Sequence, residues 1–116
     1  MRYMLLVHET SRPSEPPPEL FTAIGAIGAK ESAAGTLLEV GGLMPIEAGS
    51  VVTLASGTIA TADGRFVDAK DLVGGYSVYE LVDVAEANEK ARAFLHAHLD
   101  TWPGWEGWVE VRQLME

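Results

Sequence analysis

Two segments with the apolar spacing of helices, each lying between segments with the apolar pattern of strands, most constrain the fold of this chain. The first covers residues 19–35, and its apolar residues recur at three-to-four spacing. The second begins at Asp83, which with Glu86 has the spacing of a capping box, and ends before Pro103-Gly104. Because each helix would connect two strands, the pattern predicts an α+β fold.

The remaining apolar segments are predicted to be strands. They cover residues 3–7, 37–40, 51–55, 58–61, 76–82 and 108–115. The third and fourth are separated by Ser56-Gly57 and form a hairpin. The whole chain, residues 1–116, is predicted to be one domain with the β-α-β-β-α-β plan and an extra hairpin in its middle.

Helix coverage of the sheet leads to a prediction about assembly. Two helices cannot cover both faces of such a sheet, so they are expected to pack on one face. Gly25 and Gly28 in the first helix predict close packing there. The other face would stay apolar and uncovered. We therefore predict a homodimer in which the uncovered faces of two copies close on each other.

Composition and charge exclude several classes of protein. The formal net charge of −9 opposes binding to nucleic acid and to anionic membranes. The absence of cysteine excludes a disulfide framework, a thiolate nucleophile and a zinc–thiolate site. The longest strongly apolar stretch, residues 20–29, has about half the length of a membrane span. No phosphate-loop or dinucleotide-binding motif is present. We predict a cytoplasmic protein that has no cofactor and binds neither nucleic acid nor membranes.

Three motifs in order along the chain resemble the YCII-related family, in its DGPF-domain branch. They are the start at residues 1–6, the central segment with Asp63-Gly64-Arg65-Phe66, Ala69-Lys70 and Gly74-Gly75-Tyr76, and the ending at residues 109–116. The resemblance implies a ferredoxin-like α+β fold that dimerises as a dimeric α/β barrel. It agrees with the element order derived above.

One departure from the family pattern concerns the central turn. The branch is named for Asp-Gly-Pro-Phe, and this chain has Arg65 where the family has proline. Either the turn is looser here or Arg65 contacts another group. Some relatives in the wider YCII group resemble small lyases or dehalogenating enzymes and are proposed to use a His–Asp pair. The DGPF branch has no agreed activity.

His8 and Asp63 are the candidate catalytic residues. His8 ends the first predicted strand and could act as a general base near neutral pH, with Asp63 as its orienting carboxylate. The alternative for His8 is a strand-end histidine that meets water or a backbone carbonyl. The alternative for Asp63 is a hydrogen bond to the backbone of its own turn.

The candidate substrate-binding residues are Arg65, Lys70, Tyr76 and Arg112. Lys70 lies in a run of alternating charges, which is typical of a solvated loop and also places a cation for a ligand. Arg112 lies beside Glu110, so it either forms a Glu–Arg network or clamps a substrate carboxylate.

Aromatic and histidine residues near the second helix allow two interpretations. Trp102, Trp105 and Trp108 form either an apolar wall or lid over a small ligand, or a dimer anchor. His96 and His98 point in different directions on a helix and cannot chelate one ion, so no metal site is predicted. His98 falls on the apolar stripe and is predicted to be packed.

Two functions follow from these residues. The first is a small acid–base enzyme of the lyase or isomerase type that acts on a small organic substrate in a dimer cleft. The second is a non-catalytic small-molecule-binding or accessory dimer, so the question of enzyme activity stays open. The distance from the His8 ring to a carboxylate discriminates between them.

Overall fold

The computed structural model describes residues 1–68 and 72–116 of the chain and has an α+β architecture. In chain order its elements are β1 (Arg2–Ser11), α1 (Pro18–Ala33), β2 (Leu37–Gly42), β3 (Ser50–Ala55), β4 (Thr58–Asp63), β5 (Leu72–Glu80), α2 (Val84–Thr101) and β6 (Glu106–Gln113). Short 3-10 turns at Ile46–Ala48 and Gly64–Phe66 flank the β3–β4 hairpin. The predicted element order, including the inserted hairpin, is confirmed.

The main sheet has the strand order β2-β5-β1-β6, and its neighbouring strands are antiparallel. The two helices connect β1 to β2 and β5 to β6. This arrangement is compatible with a ferredoxin-like fold. Strand β1 therefore lies inside the sheet and pairs on both sides.

Both helices lie on the same side of the sheet, as predicted, and α2 packs directly on it. Tyr3 and Leu5 of β1 and Tyr79 of β5 are buried against Ala87 and Ala91 of α2. Ala87 is fully buried, and its small side chain lets α2 approach the strands closely. A second apolar cluster joins the two helices and consists of Leu20, Ala97 and Trp102.

The ends of the helices follow the sequence signals. The Asp83 carboxylate accepts a hydrogen bond from the Glu86 backbone N–H at 2.9 Å, and the Glu86 carboxylate accepts one from the Val82 N–H at 2.9 Å. Asp83 thus caps the helix as predicted, and the Glu86 carboxylate binds the backbone one residue before the N-cap. Gly35, just after α1, has a φ of 78°, a conformation that favours glycine at a helix end.

The prediction of close packing at Gly25 and Gly28 is wrong. A Cβ added at either glycine would meet no neighbouring atom within 4 Å. The reason is that α1 contacts α2 and β2 but does not pack against the central strands β5 and β1. The gap between α1 and the sheet is a cleft, described below.

The β3–β4 hairpin, residues 50–63, is called the arm. It forms a two-stranded sheet separate from the main sheet. The radius of gyration of the described Cα atoms is 15.9 Å, against about 13 Å for a compact domain of this length. No helix among the described residues is long and apolar enough to cross a membrane.

Candidate functional site

The face of the main sheet opposite the helices is called the open face. Successive side chains of a strand point to opposite faces, and Leu5 of β1 points to the helices. Leu6 and His8 of β1 therefore lie on the open face. In the pairing with β6, Leu6 is opposite Glu110 and His8 is opposite Trp108. Residues opposite each other in an antiparallel pair share a face.

His8, Trp108, Glu110 and Arg112 form a contiguous group on the open face. The His8 Nε2 atom lies 3.1 Å from Glu110 Oε1. The His8 ring stacks on the Trp108 ring, with centroids 3.8 Å apart and planes 4° apart. The Arg112 guanidinium donates to Glu110 Oε2 at 2.8 Å. The group fixes the imidazole by a hydrogen bond at its edge and an aromatic ring on its face.

Burial differs sharply within this group. The His8 side chain is 11% exposed and that of Glu110 is 28% exposed, whereas the Arg112 side chain is 70% exposed. The His8 imidazole is thus largely buried, and the Arg112 guanidinium is accessible to solvent.

Electrostatics keep the carboxylate of this group ionised. The hydrogen bond from Arg112, followed by the one to His8, lowers the pKa of Glu110 below its usual value. A carboxylate that stays charged beside an imidazole stabilises the protonated ring when it forms. The His8 ring therefore lies against an ionised carboxylate.

Tyr76 also lies on the open face, on the other side of β1. It is opposite Leu6 in the β1–β5 pairing and opposite Gly41 in the β2–β5 pairing. Its hydroxyl donates to Glu39 Oε1 at 3.2 Å, and this bond raises the pKa of Tyr76 above its usual value. A Cβ at Gly41 would lie 2.7 Å from the ring, so the glycine allows the ring to lie across β2.

The predicted site residues of the central turn lie apart from this group. Asp63 ends the arm, and its carboxylate accepts hydrogen bonds from the Arg65 backbone N–H at 2.9 Å and from its guanidinium at 2.9 and 3.1 Å. Those bonds lower the pKa of Asp63. The guanidinium also lies 5.5 Å from the Phe66 ring centroid. The contact of Arg65 is thus with its own turn.

The sequence-predicted site residues therefore divide into two groups. His8, Tyr76 and Arg112 share the open face, while Asp63 and Arg65 pair with each other at the arm. Lys70 lies outside the described residues. The carboxylate that the structure places beside His8 is Glu110, which the sequence analysis treated only as a partner of Arg112. Catalytic and binding roles for all six predicted residues stay predictions.

The spacing of Trp108 and Glu110 in the sequence places them on one face of a strand. With Arg112 they occupy alternate positions of one predicted strand, so they share a face. Only the register between β1 and β6 shows that this face carries His8. Local patterns do not determine a pairing between residues this far apart in the chain.

A cleft of about 1220 Å³ lies on the helix side of the sheet. It runs between α1, α2 and the end of the sheet formed by β2 and β5. Its aliphatic wall on α1 includes Leu20, Ile24 and Ile27, and the facing wall includes Val40 and Met44. The cleft is therefore mainly apolar, as ligand pockets commonly are.

Aromatic rings close one end of this cleft. They belong to Phe94, His98, Trp102 and Trp105. The His98 Nδ1 donates to the Phe94 carbonyl at 3.0 Å, and its ring centroid lies 4.2 Å from that of Trp105. Burial lowers the pKa of His98, so the ring is held in its neutral form. The prediction that His98 is packed is confirmed.

The three tryptophans belong to different regions. Trp102 and Trp105 line the cleft, and their indole N–H groups donate to Ser14 and Glu9, each at 2.9 Å. Trp108 lies on the open face against His8. Two of the three rings thus line the cleft, and the choice between a ligand wall and a dimer anchor stays a prediction. In residues 1–68 and 72–116, no cluster of three or more acidic or histidine side chains could hold a metal ion.

Comparison with known proteins adds a weak structural likeness. No family model and no curated protein matches this chain. Among solved structures, it is similar to 5-chloro-2-hydroxyhydroquinone dehydrochlorinase from Burkholderia phenoliruptrix AC1100, in complex with 2,5-dihydroxybenzoquinone. The TM-score is 0.46 and the identity 15%, over 100% of this chain and 95% of that chain. A likeness of this degree assigns the chain to neither a family nor an activity.

Proposed function

We propose that this chain is a YCII-related protein that acts as an acid–base enzyme of the lyase or isomerase type. The single observation that carries the proposal is the His8–Glu110 pair, hydrogen-bonded at 3.1 Å and stacked on Trp108. A histidine held against a charged carboxylate is a common arrangement for proton transfer near neutral pH. The substrate would be a small organic molecule bound on the open face.

The chemistry follows from the charges of this group. The His8 ring takes a proton from a carbon of the substrate, and the ionised Glu110 stabilises the imidazolium that results. The electron pair left on carbon either expels a leaving group on the neighbouring carbon or shifts a double bond. In the isomerase case, the imidazolium returns the proton at another carbon. No protein nucleophile is required in either sequence.

The exposed Arg112 indicates the charge of the substrate. Its guanidinium already donates to Glu110 and has further N–H groups that can bind a carboxylate or enolate oxygen. A cation at this place also stabilises negative charge that develops as the proton leaves carbon. We therefore propose a small anionic or carbonyl-containing substrate, with Tyr76 as a hydroxyl contact one strand away.

A homodimer completes this proposal. The open face carries half-buried Met4 and Leu6 next to the His8 group and is not covered by a helix of the described chain. Two open faces that close on each other would bury these side chains and exclude water from the proton-transfer site. The assembly would be a dimeric α/β barrel, in a cytoplasmic protein without a cofactor.

Exchange of C–H protons for deuterium in a panel of small keto acids and hydroxy acids tests the proposed activity. In D2O, the wild type is expected to exchange a C–H proton of at least one compound, measured by NMR. His8→Gln should lower the rate by about 100-fold or more, because it removes the base. Glu110→Gln should lower it by about tenfold. Glu89→Gln is the control, since Glu89 is an exposed residue of α2.

The same experiment can contradict the proposal directly. An exchange rate that His8→Gln leaves at the wild-type value would show that the imidazole is not the base. An equal fall in Glu89→Gln would show that the losses come from general effects on the protein. Circular dichroism of each variant establishes that the fold is retained.

The apolar cleft favours a second candidate function, non-catalytic binding of a small molecule. Its volume of about 1220 Å³ is ample for such a ligand, since known pockets measure roughly 300–1,000 Å³. The rings of Trp102 and Trp105 would form the end of the site. In this case Trp102 and Trp105 are the proposed binding residues, Arg112 on the open face lies outside the site, and His8 is replaceable.

Two glycines of α1 provide a matched test of the cleft. Gly28 lines it and Gly25 does not, while a side chain at either glycine meets open space. Gly28→Leu should therefore fill the cleft and weaken binding of an anilinonaphthalene dye by about tenfold, or 1.4 kcal/mol. Gly25→Leu should leave the affinity at the wild-type value. Equal affinities in both variants would contradict binding in the cleft.

A further inference from the structure

The arm has one strongly apolar face. Its strands pair so that Leu54 is opposite Ile59 and Val52 is opposite Thr61. These residues share a face, because opposite residues and alternate residues along a strand point the same way. The exposed fractions are 64% for Val52, 72% for Leu54 and 69% for Ile59. Three large aliphatic side chains thus form a stripe along one side of the hairpin.

The other face of the arm is different in character. It carries Val51 opposite Ala62, Thr53 opposite Ala60 and Ala55 opposite Thr58. Val51, near the base of the arm, is half-buried, and the other side chains are small or hydroxyl-bearing. The hairpin is therefore amphipathic, with a large-aliphatic face that differs from its small-residue face. Such asymmetry indicates that one particular face is covered.

No described element of the same chain packs on the apolar stripe of the arm. Both strands of the arm pair only with each other. The arm is held at its base, where the Gly64 N–H donates to the Gly49 carbonyl at 2.8 Å. A two-stranded hairpin alone is marginally stable in water. Its ordered shape therefore requires another surface against the apolar stripe.

The absence of charged side chains in the arm limits which kind of partner can pack on its apolar stripe. Residues 48–62 contain no charged side chain, in a chain whose net charge is −9. The stripe therefore offers nothing to a nucleic acid or to a charged peptide, which are recognised through opposite charge. The arm is part of every folded chain, so the surface that packs on its apolar stripe must be available to every folded chain. A second copy of the chain meets that requirement and has an uncovered apolar sheet face of its own.

We infer that the arm of each chain packs on a second copy, with Val52, Leu54 and Ile59 buried between them. The inference rests on the homodimer of the proposed function and identifies the segment that holds it together. Two-fold symmetry would exchange both arms, so that neither stripe stays in water. Asp63 follows Ile59 and Thr61 on the same face, opposite Ser50.

Sedimentation equilibrium of two double variants tests the inference. The wild type is expected to sediment with the mass of two chains. Leu54→Asp/Ile59→Asp places charges on the apolar stripe and should weaken dimerisation by about 100-fold or more. Thr53→Asp/Ala60→Asp is the matched control, because it places the same charges as a cross-strand pair on the other face. It should keep the wild-type dissociation constant.

The outcomes separate this inference from the proposed enzyme function. A wild type with the mass of one chain would overturn both the arm contact and the homodimer. A dimer that Leu54→Asp/Ile59→Asp leaves unchanged would overturn the arm contact alone. The exchange assay with His8→Gln reports on the active site independently of either result.

A second measurement covers the case in which the charged variants do not fold. The chain has no cysteine, so a single introduced thiol is a specific probe. In the wild-type background, Leu54→Cys should react with a maleimide at least about tenfold more slowly than Thr53→Cys, because only the former is buried by the second copy. Equal rates for the two thiols would overturn the inference.

Discussion

Gly107→Ala is expected to lower the free energy of unfolding by about 3 kcal/mol, because the added methyl group overpacks a strand pair. Its Cβ would lie 2.5 Å from the His8 carbonyl oxygen and 2.3 Å from the Trp105 ring. The carbonyl is backbone within the β1–β6 pair and cannot turn aside as a flexible side chain can. The strands must therefore separate locally, close to the His8–Trp108 stack.

Urea unfolding followed by circular dichroism measures this effect. Gly74→Ala is the matched control, since Gly74 is also a strand glycine and its added Cβ would meet nothing within 4 Å. It should change the stability by no more than about 0.5 kcal/mol. Tryptophan fluorescence should shift in Gly107→Ala because Trp105 is displaced. Equal stability of the two variants would contradict the close approach of β1 and β6.

Glu31→Ala is expected to cost about 3 kcal/mol because it leaves a partly buried lysine without its carboxylate. Glu31 lies in α1, and its side chain is 9% exposed. It accepts hydrogen bonds from Lys90 of α2 at 3.0 Å and from the Thr36 hydroxyl at 2.5 Å. The residue thus joins both helices to the start of β2. Urea unfolding at neutral pH measures the loss.

The exposed pair of Glu89 and Arg92 is the control for this variant. Its two side chains are 2.8 Å apart but 71% and 65% exposed, so Glu89→Ala should cost no more than about 0.5 kcal/mol. A loss in Glu31→Ala as small as that in Glu89→Ala would show that the Lys90 contact does not contribute to stability.

Glu31 also predicts a pH dependence. The Thr36 hydrogen bond, together with that of Lys90, lowers the pKa of Glu31 below its ordinary value of 4.5. The folded state therefore binds this proton less readily than the unfolded state. The associated stability is fully present above pH 4.5 and is lost as the pH falls through the lowered value. Glu31→Gln should flatten the fall in urea midpoint over that range, and a fall as steep as in the wild type would contradict the assignment.

The sequence was most informative where local chemistry determines structure. The capping pair of Asp83 and Glu86 located the start of α2, and Gly35 located the end of α1. The Ser56-Gly57 turn located the arm, with positive φ at both residues. Each of these signals acts over a few neighbouring residues. The element order, and with it the uncovered face of the sheet, followed from them.

Long-range register explains what the sequence did not provide. His8 was expected to end its strand, but β1 continues to Ser11 because β6 pairs with it beyond His8. Gly75 was expected to precede its strand, but it lies inside β5 between Val7 and Gly42. The contact of His8 with Glu110 depends on the β1–β6 register, in which Leu6 is opposite Glu110 and His8 is opposite Trp108. No local pattern encodes this register.

Glycines in α1 illustrate a different limit of sequence interpretation. A small residue in a helix can mean close contact or mere tolerance, and its type alone does not discriminate between them. At Gly25 and Gly28, the structure shows open space beside the helix. The distinction depends on the position of α1 relative to the sheet, which is a property of the whole fold.

Adjacent residues of strand β1 contact different regions of the protein. Glu9 accepts the indole N–H of Trp105 on the cleft side, while His8, next to it, stacks on Trp108 on the other side. One peptide unit thus joins the two regions. In homologous chains, the residue at position 9 should therefore vary together with position 105. The residue at position 8 should vary together with position 108. A graft of either region onto another scaffold would need this strand as well.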